Sequence, residues 1–288
     1  MGNARARGGV EGTAALSQER LRAVSREVIR YRREGVHLQH APRWDLRSEQ
    51  EADVVRDLVA EGVGEAVAGW KLGALDDAAR SRLGLGKPFI GRVFRSRQQT
   101  SPAVLSRLVL PTVYLEAEVA FSVGRDMPPR LEPYRLDEMK AAISGCYPAF
   151  EIVDFTGPGR EGMRGLDIVA DNGGCGGMVT GSPAPHWREL DLLQESVVLE
   201  IDGAVVAQGR VQKTSDQLIA HVMDFANYLG TCGMTLEAGQ FVTTGTWSGM
   251  HPLQAGQTAV ARFTQLGEVR ASMPRWKSAA PAARIQPE

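Results

Sequence analysis

The N-terminal part of the chain carries apolar residues at the spacing of amphipathic helices. They recur three or four positions apart over residues 17–35, which predicts one helix there. A second helix is predicted over residues 48–62, because Ser48 and Glu51 have the spacing of a capping box. The sequence therefore predicts a largely helical N-terminal part over residues 1–65.

From residue 66 onward, short apolar runs alternate with glycine and proline, which is typical of strands. Asp202 and Gly203 separate two of these runs and predict a tight hairpin, because Asp-Gly supplies the positive φ angles of a type I′ turn. Helical spacing returns at two places in this region, over residues 136–143 and 215–229. The predicted strands cover residues 67–72, 88–94, 113–123, 148–154, 196–201 and 240–244.

These elements predict an α+β fold, in which the helical part leads into a β-rich domain over residues 66–273. Residues 1–15 and 274–288 are rich in Gly, Ala, Arg and Pro and show no periodicity. The chain is therefore predicted to begin with a disordered stretch and to end in a flexible tail.

Composition excludes several classes of protein. The chain has 288 residues, of which 43% are hydrophobic, enough for a sizeable core. Lys and Arg number 33 against 34 Asp and Glu, and no basic block stands out, so nucleic acid is not predicted as a partner.

No apolar stretch follows the N-terminal arginines and none has the length that spans a bilayer, so neither a secretory signal nor a membrane anchor is predicted. The three cysteines are far apart, which favours the reducing cytoplasm over a disulfide scaffold.

Two glutamates, Glu116 and Glu118, are separated by one residue within the strand predicted over residues 113–123. Residues i and i+2 of a strand project from the same face, so the two carboxylates point the same way. A third carboxylate, Glu151, lies in the strand predicted over residues 148–154. Three carboxylates on neighbouring strands would form an oxygen-ligand site for Mg²⁺ or Mn²⁺. The alternative interpretation places Glu116 and Glu118 on an edge strand that faces solvent.

Five motifs stand in the order and approximate spacing of one enzyme family, and they occupy residues 69–73, 115–121, 149–154, 169–172 and 244–246. On these motifs the chain resembles the fumarylacetoacetate hydrolase superfamily. Within it, the chain is similar to the branch that contains 2-hydroxypenta-2,4-dienoate hydratases, also called 2-keto-4-pentenoate hydratases, and 2-oxo-3-hexenedioate decarboxylases. The resemblance covers about residues 17–272.

The resemblance implies a β-rich rolled mixed sheet, Mg²⁺ or Mn²⁺ held by Glu116, Glu118 and Glu151, and a homo-oligomer in the cytoplasm. The β-rich domain would then be the catalytic domain. The implied activity is that of a metal-dependent lyase on a small-molecule 2-oxo or 2-hydroxydienoic acid, as a hydratase or a decarboxylase. In this chemistry the cation stabilises charge that grows on the enolate oxygen of the substrate.

The resemblance also implies further candidate residues. Lys71 is a candidate catalytic residue that binds the substrate carboxylate or donates a proton, and the alternative is a solvated lysine at a strand end. Asn172 and Thr246 are candidates for hydrogen bonds to the substrate. Phe89 or Trp247 would wall the apolar end of the pocket, and the alternative for both is ordinary core packing.

The chain departs from the family pattern at two positions. The related hydratases usually carry a small hydroxyl residue shortly after the Lys-x-Gly sequence, where this chain has Ala74 and Leu75. They then place an acidic residue, implicated in proton transfer, after a proline, where this chain has Phe89. Because two polar positions are apolar here, Leu75 and Phe89 are predicted to contact a substrate that is bulkier and less polar than the simple dienoate.

Three other activities stay open at this point. The first is an acylpyruvate-type carbon-carbon hydrolase, which needs a base that activates water. The second is a tautomerase or cyclase of specialised metabolism, which the apolar Leu75 and Phe89 favour. The third is a non-catalytic protein, which is disfavoured because three clustered carboxylates without a cation are costly to hold together.

Histidine adds few candidates for proton transfer. His37 and His40 lie three positions apart in a predicted loop, and His251 lies beside the last of the five motifs. His186 and His221 are predicted to lie at the surface.

Overall fold

The computed structural model describes the chain apart from its two ends and four internal stretches. The predicted disordered start, most of the predicted tail, and both His37 and His40 lie outside the described residues. The described residues are 16–34, 44–106, 112–156, 162–210 and 212–275.

Six α-helices lie within the described residues: α1 (Gln18–Glu34), α2 (Glu49–Val63), α3 (Asp77–Leu83), α4 (Leu136–Ala142), α5 (Gly165–Ala170) and α6 (Ser215–Thr231). The prediction of only two helices after residue 66 is wrong, because α3 and α5 occur besides α4 and α6. No residue of α3 is buried, whereas α5 is short and mostly buried, so neither shows an apolar stripe.

In the described part of the chain, no helix is both long enough and apolar enough to cross a bilayer.

Thirteen strands form two sheets within the described residues. They are β1 (Val67–Gly73), β2 (Phe89–Phe94), β3 (Gln98–Thr100), β4 (Ala103–Val104), β5 (Thr112–Val123), β6 (Ile143–Val153), β7 (Cys175–Thr180), β8 (Ser196–Ile201), β9 (Ala204–Arg210), β10 (Phe241–Thr243), β11 (Met250–Gln254), β12 (Thr258–Phe263) and β13 (Gly267–Ser272). The larger sheet has the order β2-β1-β10-β5-β6-β7-β3, with β11 also paired to β5, and the smaller has the order β4-β13-β12-β8-β9. Each sheet contains both parallel and antiparallel pairs, so the predicted α+β fold with a mixed sheet is confirmed.

A large hydrophobic core joins the two sheets to α6, with members such as Phe121 of β5, Leu199 of β8 and Phe225 of α6. The predicted hairpin is confirmed, since Asp202 and Gly203 join β8 to β9 with φ angles of 50° and 82°. The fold therefore depends on long-range contacts between strands that are distant in sequence.

A second core packs α1 and α2 against the larger sheet. Ser48 caps α2 as predicted, because its side chain accepts a hydrogen bond from the Glu51 backbone N–H at 3.2 Å. The Glu51 carboxylate accepts from the backbone N–H groups of Leu16 and Arg47, each at 2.8 Å, and so links α2 to the start of α1. The predicted capping box is thus half formed, and its glutamate connects the two helices instead.

A buried guanidinium, that of Arg32, connects α1 to the larger sheet. Arg32 lies 3.0 Å from the Asp171 carboxylate, and the two side chains are 7% and 0% exposed. The guanidinium also donates to the backbone carbonyls of Asp154, after β6, and of Cys175, at the start of β7. The Asp171 carboxylate accepts two further bonds from Thr156. One arginine therefore fixes the helix against the ends of two neighbouring strands.

We expect Arg32→Met to destabilise the fold by about 3–5 kcal/mol, because it leaves the Asp171 carboxylate buried without its charged partner. Urea denaturation followed by circular dichroism measures the change. The matched control is Arg135→Met, since Arg135 and Asp137 form a pair that is 74% and 67% exposed. Loss of that surface pair should change stability little, because solvent screens exposed ion pairs. Equal effects of the two variants would contradict the assignment of Arg32 as a buried anchor.

Candidate active site

Three carboxylates meet where β5 pairs with β6. Glu116 stands directly opposite Glu151 in the strand register, and Glu118 lies two residues further along β5. One oxygen from each carboxylate lies within 4.8 Å of the others. Glu118 and Glu151 are each 1% exposed, and β5 is paired along both edges. The alternative of a solvent-facing edge strand is therefore wrong.

Lys71 of β1 completes the charged cluster. Its Nζ lies 2.9 Å from Glu151 Oε1, and the residue is only 4% exposed, so the alternative of a solvated lysine is wrong. Burial lowers the pKa of Lys71, but the carboxylates of Glu151 and Glu116 more than offset it, and the net pKa lies above its ordinary value. The ammonium form of Lys71 is therefore the one that the site stabilises.

The charge balance of the cluster fits a divalent cation. Three carboxylates face one ammonium, and burial, followed by repulsion from Glu151 and Glu116, raises the pKa of Glu118 well above its ordinary value. Glu151 Oε2 is buried and has no hydrogen-bond partner among the described residues. A buried carboxylate oxygen without a partner is costly, whereas hard divalent cations prefer carboxylate oxygens as ligands. The residues present thus fit Mg²⁺ or Mn²⁺.

A loop over residues 244–249 docks beside this cluster. β10 and β11 pair with the same edge of β5 and leave an interval between them, which the loop fills. The backbone N–H of Gly245 donates to Glu118 Oε2 at 2.8 Å, and the backbone N–H of Trp247 donates to the Ala117 carbonyl at 2.8 Å. The loop therefore orients one of the carboxylates directly.

A cavity of about 220 Å³ opens onto the cluster, and we call it the first cavity. Its walls include most of the residues that the sequence singled out: Lys71, Leu75, Phe89, Glu116, Glu118 and Thr246. The Phe89 ring centre lies 4.8 Å from Lys71 Nζ, a distance at which the ring face attracts the ammonium. Thr246 is exposed at the mouth, and Leu75 is half-buried.

Asn172 does not line the first cavity, although its neighbour Gly173 does. The Asn172 side chain accepts from the backbone N–H of Arg92 at 2.8 Å and donates to the Arg92 carbonyl at 2.9 Å. The Asn172 amide thus makes the same pair of hydrogen bonds to the backbone of β2 that a neighbouring strand would make. This geometry gives Asn172 a positioning role, and contact with substrate stays a prediction.

The remaining candidates do not line the first cavity. His251 is on β11, where its Nε2 lies 2.9 Å from the Ser248 carbonyl, and it does not line the first cavity. Trp247 is buried and packs its ring 5.8 Å from that of Phe263, which is core packing. His186 is exposed as predicted, but the surface prediction for His221 is wrong, because the residue is half-buried and its Nε2 is buried without a partner among the described residues.

Sequence reasoning missed several residues of the first cavity. Lys213 and Arg82 bring two further cations to its wall, and Phe155 and Ile168 add apolar surface. Lys213 directly precedes Thr214, which forms a capping box at the start of α6. That pattern is visible in the sequence and could have located the start of the helix, and with it Lys213. Ile168 lies on α5, which carries no periodic signal.

Comparisons with known proteins show the family and the fold of the chain. The family model for the C-terminal part of fumarylacetoacetate (FAA) hydrolase matches residues 80–273. A 2-keto-4-pentenoate hydratase of Paraburkholderia phymatum is 31% identical over 211 residues, 73% of this chain and 79% of that protein. The TodF product hydratase of Pseudomonas putida is 29% identical over 225 residues, 77% and 81% of the two chains. The structure of 4-oxalocrotonate decarboxylase from Pseudomonas putida G7, complexed with magnesium and adipate, superposes with a TM-score of 0.77 at 23% identity, covering 91% of this chain and 100% of that chain.

A carboxylate cluster with a paired lysine, buried in a mixed sheet, is the kind of centre found in metal-dependent enzymes. The chain belongs to the fumarylacetoacetate hydrolase family, because the family model matches more than half of its length.

We expect the single variants Glu116→Gln, Glu118→Gln and Glu151→Gln each to weaken Mn²⁺ binding by more than about tenfold, because even residues behind the ligands change metal affinity by 10–100-fold. Calorimetric titration of Mn²⁺ measures the affinities. Glu132→Gln is the matched control, since Glu132 is exposed and lies outside the cluster. Unchanged affinity in all three cluster variants would show that no cation binds there.

Proposed function

We propose that Glu116, Glu118 and Glu151 hold Mg²⁺ or Mn²⁺ and that the enzyme is a lyase on a 2-oxo or 2-hydroxydienoic acid, of the hydratase or decarboxylase type. The observation that carries this proposal is the buried carboxylate cluster with Lys71 at the first cavity. The hydratases among the sequence relatives and the decarboxylase among the solved structures support the same class of substrate.

When bound, the cation supplies Lewis acidity to the head group of a 2-oxo acid. Lys71 presents a buried ammonium beside that position, so it attracts the substrate carboxylate and holds a proton at Nζ for transfer to the substrate. Glu151 keeps Lys71 charged and in place. The geometry therefore supports binding of an anion by Lys71, and general-acid catalysis further requires that its raised pKa falls once the charge of Glu151 and Glu116 is neutralised.

The apolar wall of the first cavity excludes water from the reacting atoms. Phe89 packs over the Lys71 ammonium, and Leu75 lies on the same wall. Exclusion of water strengthens the attraction between Lys71 and an anionic substrate, since charges interact more strongly at low dielectric. We assign substrate contacts to Leu75, Phe89 and Thr246, and a positioning role to Asn172, which holds β2 behind Phe89.

The acylpyruvate-type hydrolase is the alternative within the same family. It requires a base that activates water, and among the described residues no histidine lines the first cavity. A hydratase also adds water, so the better support for the lyase comes from its sequence relatives, which are hydratases. A tautomerase or cyclase needs neither added water nor that base, so Leu75 and Phe89 remain compatible with it.

We further propose a homo-oligomer in the cytoplasm. The edge strand β9 exposes two apolar side chains, Val205 at 55% and Val206 at 40%, which supports an interface on that strand. Cys146, Cys175 and Cys232 are all free thiols, which supports a reducing compartment.

We expect Lys71→Met to lower turnover by about 10² or more, because the variant keeps most of the side-chain length but loses the charge and the proton. Mn²⁺ binding should be retained, since Lys71 is not one of the proposed ligands, although loss of the ammonium paired with Glu151 alters the affinity. Turnover of the 2-oxo acid substrate and calorimetry with Mn²⁺ provide the two measurements. Lys140→Met serves as the control, because Lys140 is exposed and pairs with Asp216 at the surface. Near-normal turnover of the Lys71 variant would remove Lys71 from the mechanism.

We also expect the unmodified enzyme to hydrate 2-hydroxypenta-2,4-dienoate poorly and to favour a larger, less polar analogue. Leu75 and Phe89 replace hydrogen-bonding side chains of the related hydratases with apolar surface. The assay follows loss of the dienol absorbance, with product analysis, for the simple dienoate and for analogues with longer tails. Efficient hydration of the simple dienoate would refute this preference.

A further inference from the structure

A second cavity of about 370 Å³ lies directly behind the wall of the first cavity. Its volume is within the range of small-molecule pockets, about 300–1,000 Å³. Leu72, Leu75 and Phe89 line both cavities, so the partition between them is one side chain thick. The second cavity is therefore adjacent to the site of chemistry.

One side of the second cavity is apolar and the other is charged. Pro88, Ile90 and Phe225 continue the apolar surface of the partition. On the charged side, Arg56 and Lys87 both pair with Asp53. His221, Asp224 and Tyr228 also line this cavity, but the surface that it exposes is mainly apolar.

The two side chains of the partition differ in freedom. Phe89 is 8% exposed, and its ring packs on Gly73 so closely that a Cβ at that glycine would lie 2.2 Å from Phe89 Cζ. Leu75 is half-buried and lies in the segment between β1 and α3. A change of the Leu75 rotamer displaces less packed structure than a movement of Phe89 does. Leu75 is thus the side chain that can open the partition.

We propose that the second cavity binds the apolar tail of the substrate, which extends from a 2-oxo acid head at the carboxylate cluster, past Leu75, to the surface of Ile90 and Phe225. This inference rests on the proposed function, because the head group must first bind at the cluster. A five-carbon dienoate is too short to fill both cavities, whereas a longer alkyl chain or an aromatic ring buries its tail there. The partition residues then select substrates by length.

The test uses the full-length protein loaded with Mn²⁺ and measures binding by calorimetry. The ligands are oxalate, which contains only the head group, and unbranched 2-oxo acids of increasing chain length. Burial of each further methylene is worth about 0.8 kcal/mol, so affinity should rise about fourfold per methylene once the chain passes Leu75. Affinity that stays flat with chain length would overturn the proposal.

Two variants on α6 localise the effect. His221 lines the second cavity but not the first, and His221→Trp places a larger side chain in that volume. We expect this variant to lose most of the increase in affinity with chain length, measured as the ratio of long-chain to oxalate affinity. Asp216→Trp is the control, because Asp216 is exposed on the same helix and lines neither cavity. An increase that survives in His221→Trp would place the tail elsewhere and overturn the proposal.

Oxalate separates failure of this inference from failure of the proposed function. If oxalate does not bind to the Mn²⁺-loaded protein, the head site is absent and the proposed function fails with it. If oxalate binds but longer chains gain nothing, the proposed function stands and the tail site is refuted. The series on unmodified protein decides the question even if His221→Trp does not fold.

Discussion

The structure depends on two buried carboxylates, a third that is half-buried and one buried ammonium, which meet at a single point of the larger sheet. Like charges without hydration repel strongly, and Lys71 offsets only one of the three carboxylates. Burial, with Glu151 and Glu116 as neighbours, raises the pKa of Glu118, so the cluster either takes up protons or binds a cation. The divalent cation that we propose would offset the charge of all three carboxylates at once. A carboxylate cluster that is costly for the protein alone is thus suited to bind such a cation.

The larger sheet is interrupted in a way that serves this cluster. Where β10 and β11 leave an interval along β5, a continuous strand would have placed its own backbone against Glu118. The loop instead satisfies the freed groups of β5, since Ser248 accepts from the Ala117 N–H and Trp247 donates to the Ala117 carbonyl. Its Gly245 N–H is then available for the carboxylate itself. The interruption therefore leaves no unpaired backbone group at Ala117 and provides a donor for the site.

The sequence predicted those features that follow from local backbone geometry. Glu116 and Glu118 share a face because a strand has a period of two, and α1, α2 and α6 follow from apolar spacing and caps. The position of Glu151 opposite Glu116 depends on the register of β5 and β6, which no local pattern in the sequence determines. Helices α3 and α5 were missed, because α3 has no buried residue and α5 is buried without an apolar stripe. The bonds of Asn172 to β2 join residues 80 positions apart, and no local pattern predicts such a contact.

The two departures from the family pattern act together because they lie on one partition. A polar side chain at position 75 or 89 would bind water. The bound water would separate the two cavities as effectively as a side chain does. With Leu75 and Phe89 the separation is only steric, and an apolar tail loses no hydrogen bond when it passes. Phe89 is not the side chain that opens the partition, because its ring also packs against the Lys71 ammonium and shields it from water. In the proposal, the packing gives the two residues different roles: Phe89 shields the Lys71 ammonium, and Leu75 determines which substrate tails reach the second cavity.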